Sequence, residues 1–272
     1  MAMLQETQGE IRVTGAADDE GIAWDPWAYV DDSPDRGRML RLLEDRGAQP
    51  DQVDVRRRFW EWVNVHSGTA ILEVGCGTGV WAREAAAVVG PDGQVLGIDP
   101  SRSMVDEARR LARERGAPPH LSFAMADGAA LPFPEGTWEL VLTATVLGHV
   151  ENQSGLMREM ARVARREGRV VAFDQDQETF VVNHSDRKLT RRILNLFCDR
   201  RQTDGWSGRR IFGLMQQMGL CEVRCLPLAW VDGGLFITPG LRHYISLAHS
   251  DEEVTRTLEI VDKAARETLP QA

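Results

Sequence analysis

The sequence predicts an α/β fold: a doubly wound, mostly parallel sheet with extra N-terminal helices and a helical cover after the fifth strand. Three observations predict it. Between about residues 70 and 175, short apolar runs alternate with stretches of helical period, a pattern that wraps helices on both faces of a parallel sheet. The first apolar run, "AILEV", breaks into Gly75, Gly77 and Gly79 at alternate positions, so something approaches the backbone closely where strand hands over to helix. A chain of 272 residues, 43% of them hydrophobic and 27% charged, is long enough for one large core.

The elements follow in order. Residues 1–65 read as a tail and helical lid, with "MAMLQETQGEIRVTG" a loose start. A first helix spans about 36–46 and stops at Gly47. A second, about 51–65, puts Val55, Phe59, Trp62 and Val63 on one face and leaves Arg56, Arg57 and Arg58 mostly on the wet side. Residues 66–272 then form the main domain. "AILEV" is its first strand, with a helix over about 79–89. "QVLGID" is the second, with a helix over about 101–115 ending at Gly116. "HLSFAMA" and "WELVLTAT" are the third and fourth. A helix over about 153–166 turns Leu156, Met160 and Val163 inward, and "GRVVAFDQD" is the fifth strand. An insertion at about 176–220 supplies the cover: a helix near 186–201, then one that Ser207 caps and Gly219 ends. "CEVRCLPLAWV", 221–231, reads as a strand. Two helices close the chain, one opened by Thr238 and Pro239 and one over about 251–267.

Composition narrows the function classes. The formal net charge of −9 disfavours a nucleic-acid partner. No apolar run approaches the ~20 residues that span a bilayer, and the start lacks a basic-then-apolar leader, so no membrane partner and a cytoplasmic location are expected. Cys76, Cys198, Cys221 and Cys225 have neither C-x-x-C spacing nor a histidine that completes a zinc set, so they read as free buried thiols and no metal is expected.

What do the glycines approach? In open parallel sheets ligands bind beyond the carboxyl ends of the strands, where strand order reverses. Dinucleotide sites there follow G-x-G-x-x-G, with pyrophosphate on the helix terminus. The spacing here, G-x-G-x-G, is one residue tighter, and Glu73 stands before the loop, where a carboxylate suits a cationic amino group better than a phosphate. Asp99 ends the second strand, 20 residues past Gly79, where a carboxylate accepts from ribose hydroxyls. Asp127 closes the third strand and can accept from an exocyclic amine, and the thioether of Met104 suits the face of a flat base. A ribose acid, an adenine acceptor and an amino-acid pocket without a phosphate cradle describe S-adenosyl-L-methionine.

On "ILEVGCGTG", "VLGIDPSRSMVDEAR", "ADGAALPFPEGTWELV", "LGHV" and "MREMARVARREGRVV", the sequence resembles the class I S-adenosylmethionine-dependent methyltransferases, which are Rossmann-like, and within them the branch near the ubiquinone/menaquinone C-methyltransferases. One glycine motif alone is weak; this set, in order over about 70–175, is specific. The resemblance implies a cofactor site of Tyr29, Glu73, Gly75, Cys76, Gly77, Asp99, Pro100, Met104, Ala126, Asp127, Gly128 and Thr143. Glu73 and the first glycines would line the methionine part, Asp99 would hold ribose, Met104 would cover adenine, Asp127 with the Gly128 backbone would read its edge, and Thr143 would lie near the methionine end. Tyr29, in "WDPWAYVDD" with Trp24 and Trp27, would belong to a lid whose aromatic faces suit a sulfonium.

Methyl transfer from a sulfonium needs alignment and exclusion of water, and a base only if the acceptor atom carries a proton. His149, after the fourth strand, is the candidate catalytic base, and a positioning or packing role is the other reading. His149, Trp206 and Arg209 are the candidate substrate residues, the last two in the cover; His184 in "VVNHSD" is a weaker candidate. The expected function is methylation of a small-molecule acceptor of secondary or quinone-like metabolism. The alternative is a protein of the same fold that uses the cofactor structurally or in a non-methylating reaction. One departure stands out. The family's sheet ends in an antiparallel hairpin, of which "CEVRCLPLAWV" supplies one strand. Either "GGLFI" is its partner, or the last strand is missing and the open edge is free to seat a second copy as a homodimer.

Overall fold

Alternating side chains of the central strands are buried on both faces, Ile71 to one side and Leu72 to the other, so helices must cover both. The computed structural model describes residues 3–7, 10–14, 25–179, 186–200, 204–228, 230–232 and 235–237. In chain order these form a hairpin of β1 (Met3–Thr7) and β2 (Glu10–Thr14), then α1 (Arg36–Gly47), α2 (Pro50–Val63), β3 (Ala70–Val74), α3 (Val80–Val89), β4 (Gln94–Asp99), α4 (Arg102–Glu114), β5 (Leu121–Met125), β6 (Trp138–Ala144), α5 (Gln153–Val163), β7 (Ala164–Phe173), α6 (Arg187–Arg200), α7 (Ser207–Gln217), β8 (Trp230–Asp232) and β9 (Leu235–Ile237). The central sheet runs β5-β4-β3-β6-β7, parallel throughout. Strand order reverses between β3 and β6, which opens a crevice at their carboxyl ends.

On one face, Phe59, Trp60 and Val63 of α2 pack with Trp81, Ala82, Ala85 and Ala86 of α3 and with Val105 and Ala108 of α4. Burying each large aromatic side chain contributes roughly 1.5–3 kcal/mol. On the other face, Leu156, Met157, Met160 and Val163 of α5 and Met215 of α7 cover Leu72, Val74, Ile98 and Val141. Local signals set the helix starts. Pro50 opens α2, the Ser101 hydroxyl accepts from Met104 N at 3.2 Å to cap α4, and Asn152 accepts from Gly155 N at 2.8 Å to cap α5.

Several sequence expectations need correction. Trp62 is exposed and Trp60 takes its place in the core. Arg56 is not on the wet side: it is 5% exposed, paired with Glu84 at 2.8 Å and bonded to Gly47 O at 2.6 Å. The start of the chain, expected to be loose, pairs as an antiparallel hairpin. Ser207 is the first residue of α7 and not its cap: Trp206 holds the N-cap position without a side-chain capping bond, and the Ser207 hydroxyl is donated to Gln175 O at 3.2 Å. Residues 221–228 form no strand, and Cys221 and Cys225 are exposed there, whereas Cys76 and Cys198 are buried. "GGLFI" does supply a partner, since β9 pairs antiparallel with β8, but that ribbon is separate from the central sheet. Among the described residues the outer edge of β7 therefore has no partner strand. The two helices expected after residue 237 lie outside the described residues. Among those described, no helix is long and apolar enough to cross a membrane.

Candidate functional site

The turn from β3 to α3 is tied to β4 before any ligand is considered. Gly75 N and Cys76 N both donate to Ile98 O at 2.8 Å. Gly77 N donates to Asp99 Oδ2 at 2.9 Å, and Ser101 N donates to Asp99 Oδ1 at 2.9 Å, so one carboxylate braces the turns after both strands. The glycines have two different reasons. Gly75 and Gly79 have φ of +77° and +82°, and a Cβ there would stand 2.4 Å from Val146 Cγ2 and 2.7 Å from the Phe123 ring. The close approach expected of a ligand is, at these two positions, made by the protein's own side chains. At Gly77 a Cβ would meet only Leu43 Cδ1, at 3.5 Å, and the residue borders open space.

That space is a cavity of about 390 Å³ beyond the carboxyl ends of β3, β4 and β6. It brings together Tyr29, Glu73, Gly75, Cys76, Gly77, Asp99, Pro100, Met104 and His149. It does not bring in Ala126, Asp127, Gly128, Thr143, Trp206 or Arg209. Asp127 is exposed and accepts from Ala129 N at 2.8 Å. Gly128 packs so closely that a Cβ would reach 2.5 Å from Leu156 Cδ1. Thr143 is buried with its hydroxyl donated to Val74 O at 3.0 Å. Arg209 forks onto Asp176 at 2.5 and 2.8 Å, reaches Glu178 at 2.8 Å, and sits 5.0 Å over the Trp206 ring, so those two candidates have partners in their own neighbourhood. His184 lies outside the described residues.

The cavity's electrostatics follow from its burial. Glu73 is 1% exposed, and its Oε2 has no hydrogen-bond partner among the described residues. Burial pushes its carboxyl well above the usual carboxylate range, against the pull of the Arg83 charge. Burial also raises Asp99, opposed by the Ser101 and Gly77 amides, and raises the Cys76 thiol, which is no ready nucleophile. Asp31 is the opposite case. Desolvation works against its ionisation, but hydrogen bonds from Ser103, Ser101 and Arg102 prevail and bring it down to about 2. Those bonds, each 2.9 Å, place its carboxylate on the N-terminus of α4.

Sequence reasoning missed several wall residues. Asp31 was in plain view in "WDPWAYVDD", and an acid that follows aromatics before a helix is a capping signal, but only for a helix in contact; α4 lies 70 residues on. Gln52 and Arg56 of α2, Trp81 of α3 and Phe173 of β7 line the far side. Trp81 stacks at a tilt on Phe173, centroids 5.3 Å apart, and the Arg56 guanidinium lies 5.9 Å from the Trp81 centroid. Nothing local distinguishes these from core residues. α1 is fastened to the same turn: Glu44 accepts from Thr78 Oγ1 at 2.6 Å and Arg83 Nη2 at 2.8 Å, and its other oxygen accepts from Arg115 at 2.7 Å.

A parallel, doubly wound sheet with a glycine turn, a carboxylate at the end of the next strand and a cavity over both defines the class of α/β proteins that bind a nucleoside-containing ligand at the switch point. Known proteins narrow that class. Residues 71–168 match the family model described as a methyltransferase domain. The demethylmenaquinone methyltransferase of Anoxybacillus flavithermus is 36% identical over 151 residues, covering 53% of this chain and 63% of that protein. The ubiquinone/menaquinone biosynthesis C-methyltransferase UbiE of Pseudomonas entomophila is 33% identical over 127 residues, covering 45% and 50%. Among solved structures, a SAM-dependent methyltransferase from Aquifex aeolicus superposes with a TM-score of 0.54 at 16% identity, over 74% of this chain and 97% of that one. Magnesium protoporphyrin IX methyltransferase from Synechocystis, solved with bound SAH, gives 0.53 at 22% identity, over 75% and 90%. Residues 71–168 are thus similar to a methyltransferase domain, and the fold is that of solved SAM-dependent methyltransferases. It spans between 46% and 63% of the length of the first curated relatives named demethylmenaquinone methyltransferase.

Proposed function

We propose that the protein transfers the methyl group of S-adenosyl-L-methionine to a small, flat acceptor, in the manner that its relatives' names suggest for quinone precursors. One observation carries the reading: Glu73, which borders the cavity over the glycine turn, has a buried carboxyl oxygen, Oε2, with no hydrogen-bond partner among the described residues. A buried acceptor of this kind is costly unless a donor reaches it. The amino group of an adenosyl amino acid is such a donor, and a phosphate is not. The residues present fit that group: Asp99 for the ribose, Met104 and Pro100 for the base, Glu73 and the Gly75–Gly77 backbone for the amino-acid end, and Tyr29 over the top. Gly128 and Thr143 pack against Val74 of the strand that carries Glu73, and residues 27–47 serve as the lid.

When bound, the cofactor supplies an electrophilic methyl on a sulfonium. The chain's part is to align and to keep water out. Trp27, Trp81 and Phe173 give the rest of the cavity aromatic walls, suited to a planar acceptor. His149 borders the same cavity, and in this reading it takes a proton from the acceptor. Calorimetry with S-adenosylhomocysteine, followed by a screen of phenolic and quinol acceptors with methyl-labelled S-adenosylmethionine, tests the proposal. Association plus label on one acceptor supports it. Association without transfer to any acceptor favours a non-methylating role, and no heat of association removes the reading altogether.

A further inference from the structure

His149 and Asp25 lie 124 residues apart in sequence and meet at 2.6 Å, His149 Nδ1 to Asp25 Oδ2. Asp25 is 2% exposed, and its other oxygen accepts from Trp27 N at 3.0 Å. A carboxylate only accepts, so the hydrogen of this contact belongs to Nδ1, and in the neutral ring Nε2 is then the acceptor. The ring's mount is also fixed. His149 ends a short 3₁₀ turn, Leu147–His149, in which His149 N donates to Val146 O at 2.8 Å and Gly148 N donates to Asp174 Oδ2 at 3.1 Å. His149 itself borders the cavity. The segment that delivers Asp25 continues as Trp27–Asp32, which forms one wall of that cavity, and then fastens to α4 through Asp31.

We propose that Asp25 is a positioning residue for His149: it holds the imidazole in the Nδ1–H tautomer, so that Nε2 is the proton acceptor, and the segment that covers the cavity thereby also completes the base. The proposal rests on the methyl-transfer reading of the cavity. In the step it serves, a lone pair of the acceptor atom forms the bond to the methyl carbon and the pair of the breaking C–S bond returns to sulfur. The acceptor's proton passes to Nε2 of His149 and from there to water. The Asp25 carboxylate, 2.6 Å from the ring, balances the imidazolium that forms in between.

The test is a tautomer measurement on the full chain. Long-range proton–nitrogen correlation spectra of the ¹⁵N-histidine-labelled protein, with the His149 signals assigned from the His149→Gln variant, read which nitrogen carries hydrogen. The spectra are taken with and without S-adenosylhomocysteine. The proposal expects Nδ1–H in the wild type, a shift toward Nε2–H in Asp25→Asn, and retention in Asp25→Glu. With the acceptor found by screening, Asp25→Asn should lower kcat on the order of 10²-fold while leaving the KM for S-adenosylmethionine within about twofold, and Asp25→Glu should recover much of the loss. A merely structural aspartate would not produce that split. Nε2–H in the wild type, which needs no variant to fold, overturns the proposal. So does an unchanged tautomer in a folded Asp25→Asn protein. Absence of S-adenosylhomocysteine binding overturns the methyl-transfer reading itself, and is distinguishable because it is read by calorimetry and not from the ring.

Discussion

Asp99 shows how much one side chain can do at a strand end. Its two oxygens brace the Gly77 and Ser101 amides while it faces the cavity. Replacing it by alanine removes both braces and the hydroxyl acceptor together. Hydrogen bonds to a charged group contribute about 1.5–3 kcal/mol each, so Asp99→Ala should weaken S-adenosylhomocysteine binding by on the order of 10²-fold in calorimetry. Glu73 makes a different prediction. Its pKa is raised well above 4.5 in the folded protein, so its ionisation costs the folded state stability once pH rises past 4.5. Glu73→Gln removes that cost. The variant should melt above the wild type near neutral pH, and the gap should close as pH falls below 4.5, while affinity for S-adenosylhomocysteine drops. A melting-temperature series against pH checks both halves.

Among the elements, the β3–α3 turn and the segment 25–32 behave differently. In the turn, the packing is unforgiving: Gly75→Ala sets a methyl against Val146 at an unfavourable φ. It should cost about 3 kcal/mol in denaturant unfolding. The covering segment is held by capping. Asp31 ionises at about 2 in the folded chain against 3.8 ordinarily, so its contribution is complete above 3.8 and is lost as pH falls through 2. Asp31→Asn should speed amide exchange at Arg102 and Ser103 near neutral pH, with the difference from the wild type fading toward pH 2. These two elements also mark what a sequence can disclose. The five strands, their helices and the Glu73–Gly77–Asp99 set were legible, because apolar period and glycine spacing are local. Arg56 was misread because its partner Glu84 lies on another helix. That Trp206 and Arg209 lie outside the cavity was not legible, because the pairing of Arg209 with Asp176 and Glu178 and its place over the Trp206 ring depend on how the chain after β7 folds back. The strand expected at 221–231 failed for a related reason: its residues have β propensity, but no sheet edge reaches them, and propensity yields to context.

At the scale of the molecule, the cavity draws on residues from Trp27 to Phe173: the ends of β3, β4 and β6, helices α1 and α2, and the segment before them. Glu44 ties α1 to Thr78, Arg83 and Arg115, so the side wall and the glycine turn move as one body. Glu44→Gln should therefore lower the S-adenosylhomocysteine association rate or affinity several-fold in stopped-flow or calorimetry although the residue touches no ligand. The placement of Asp31 has a consequence for selectivity. In many nucleotide-binding sheets, an exposed helix start beside the second strand welcomes a phosphorylated ribose. Here that seat is already taken by the protein's own anion, next to a second one at Asp99. NADPH and its relatives meet repulsion where they would need attraction, and the molecule is tuned, by an intramolecular occupant, to nucleosides that arrive without phosphate.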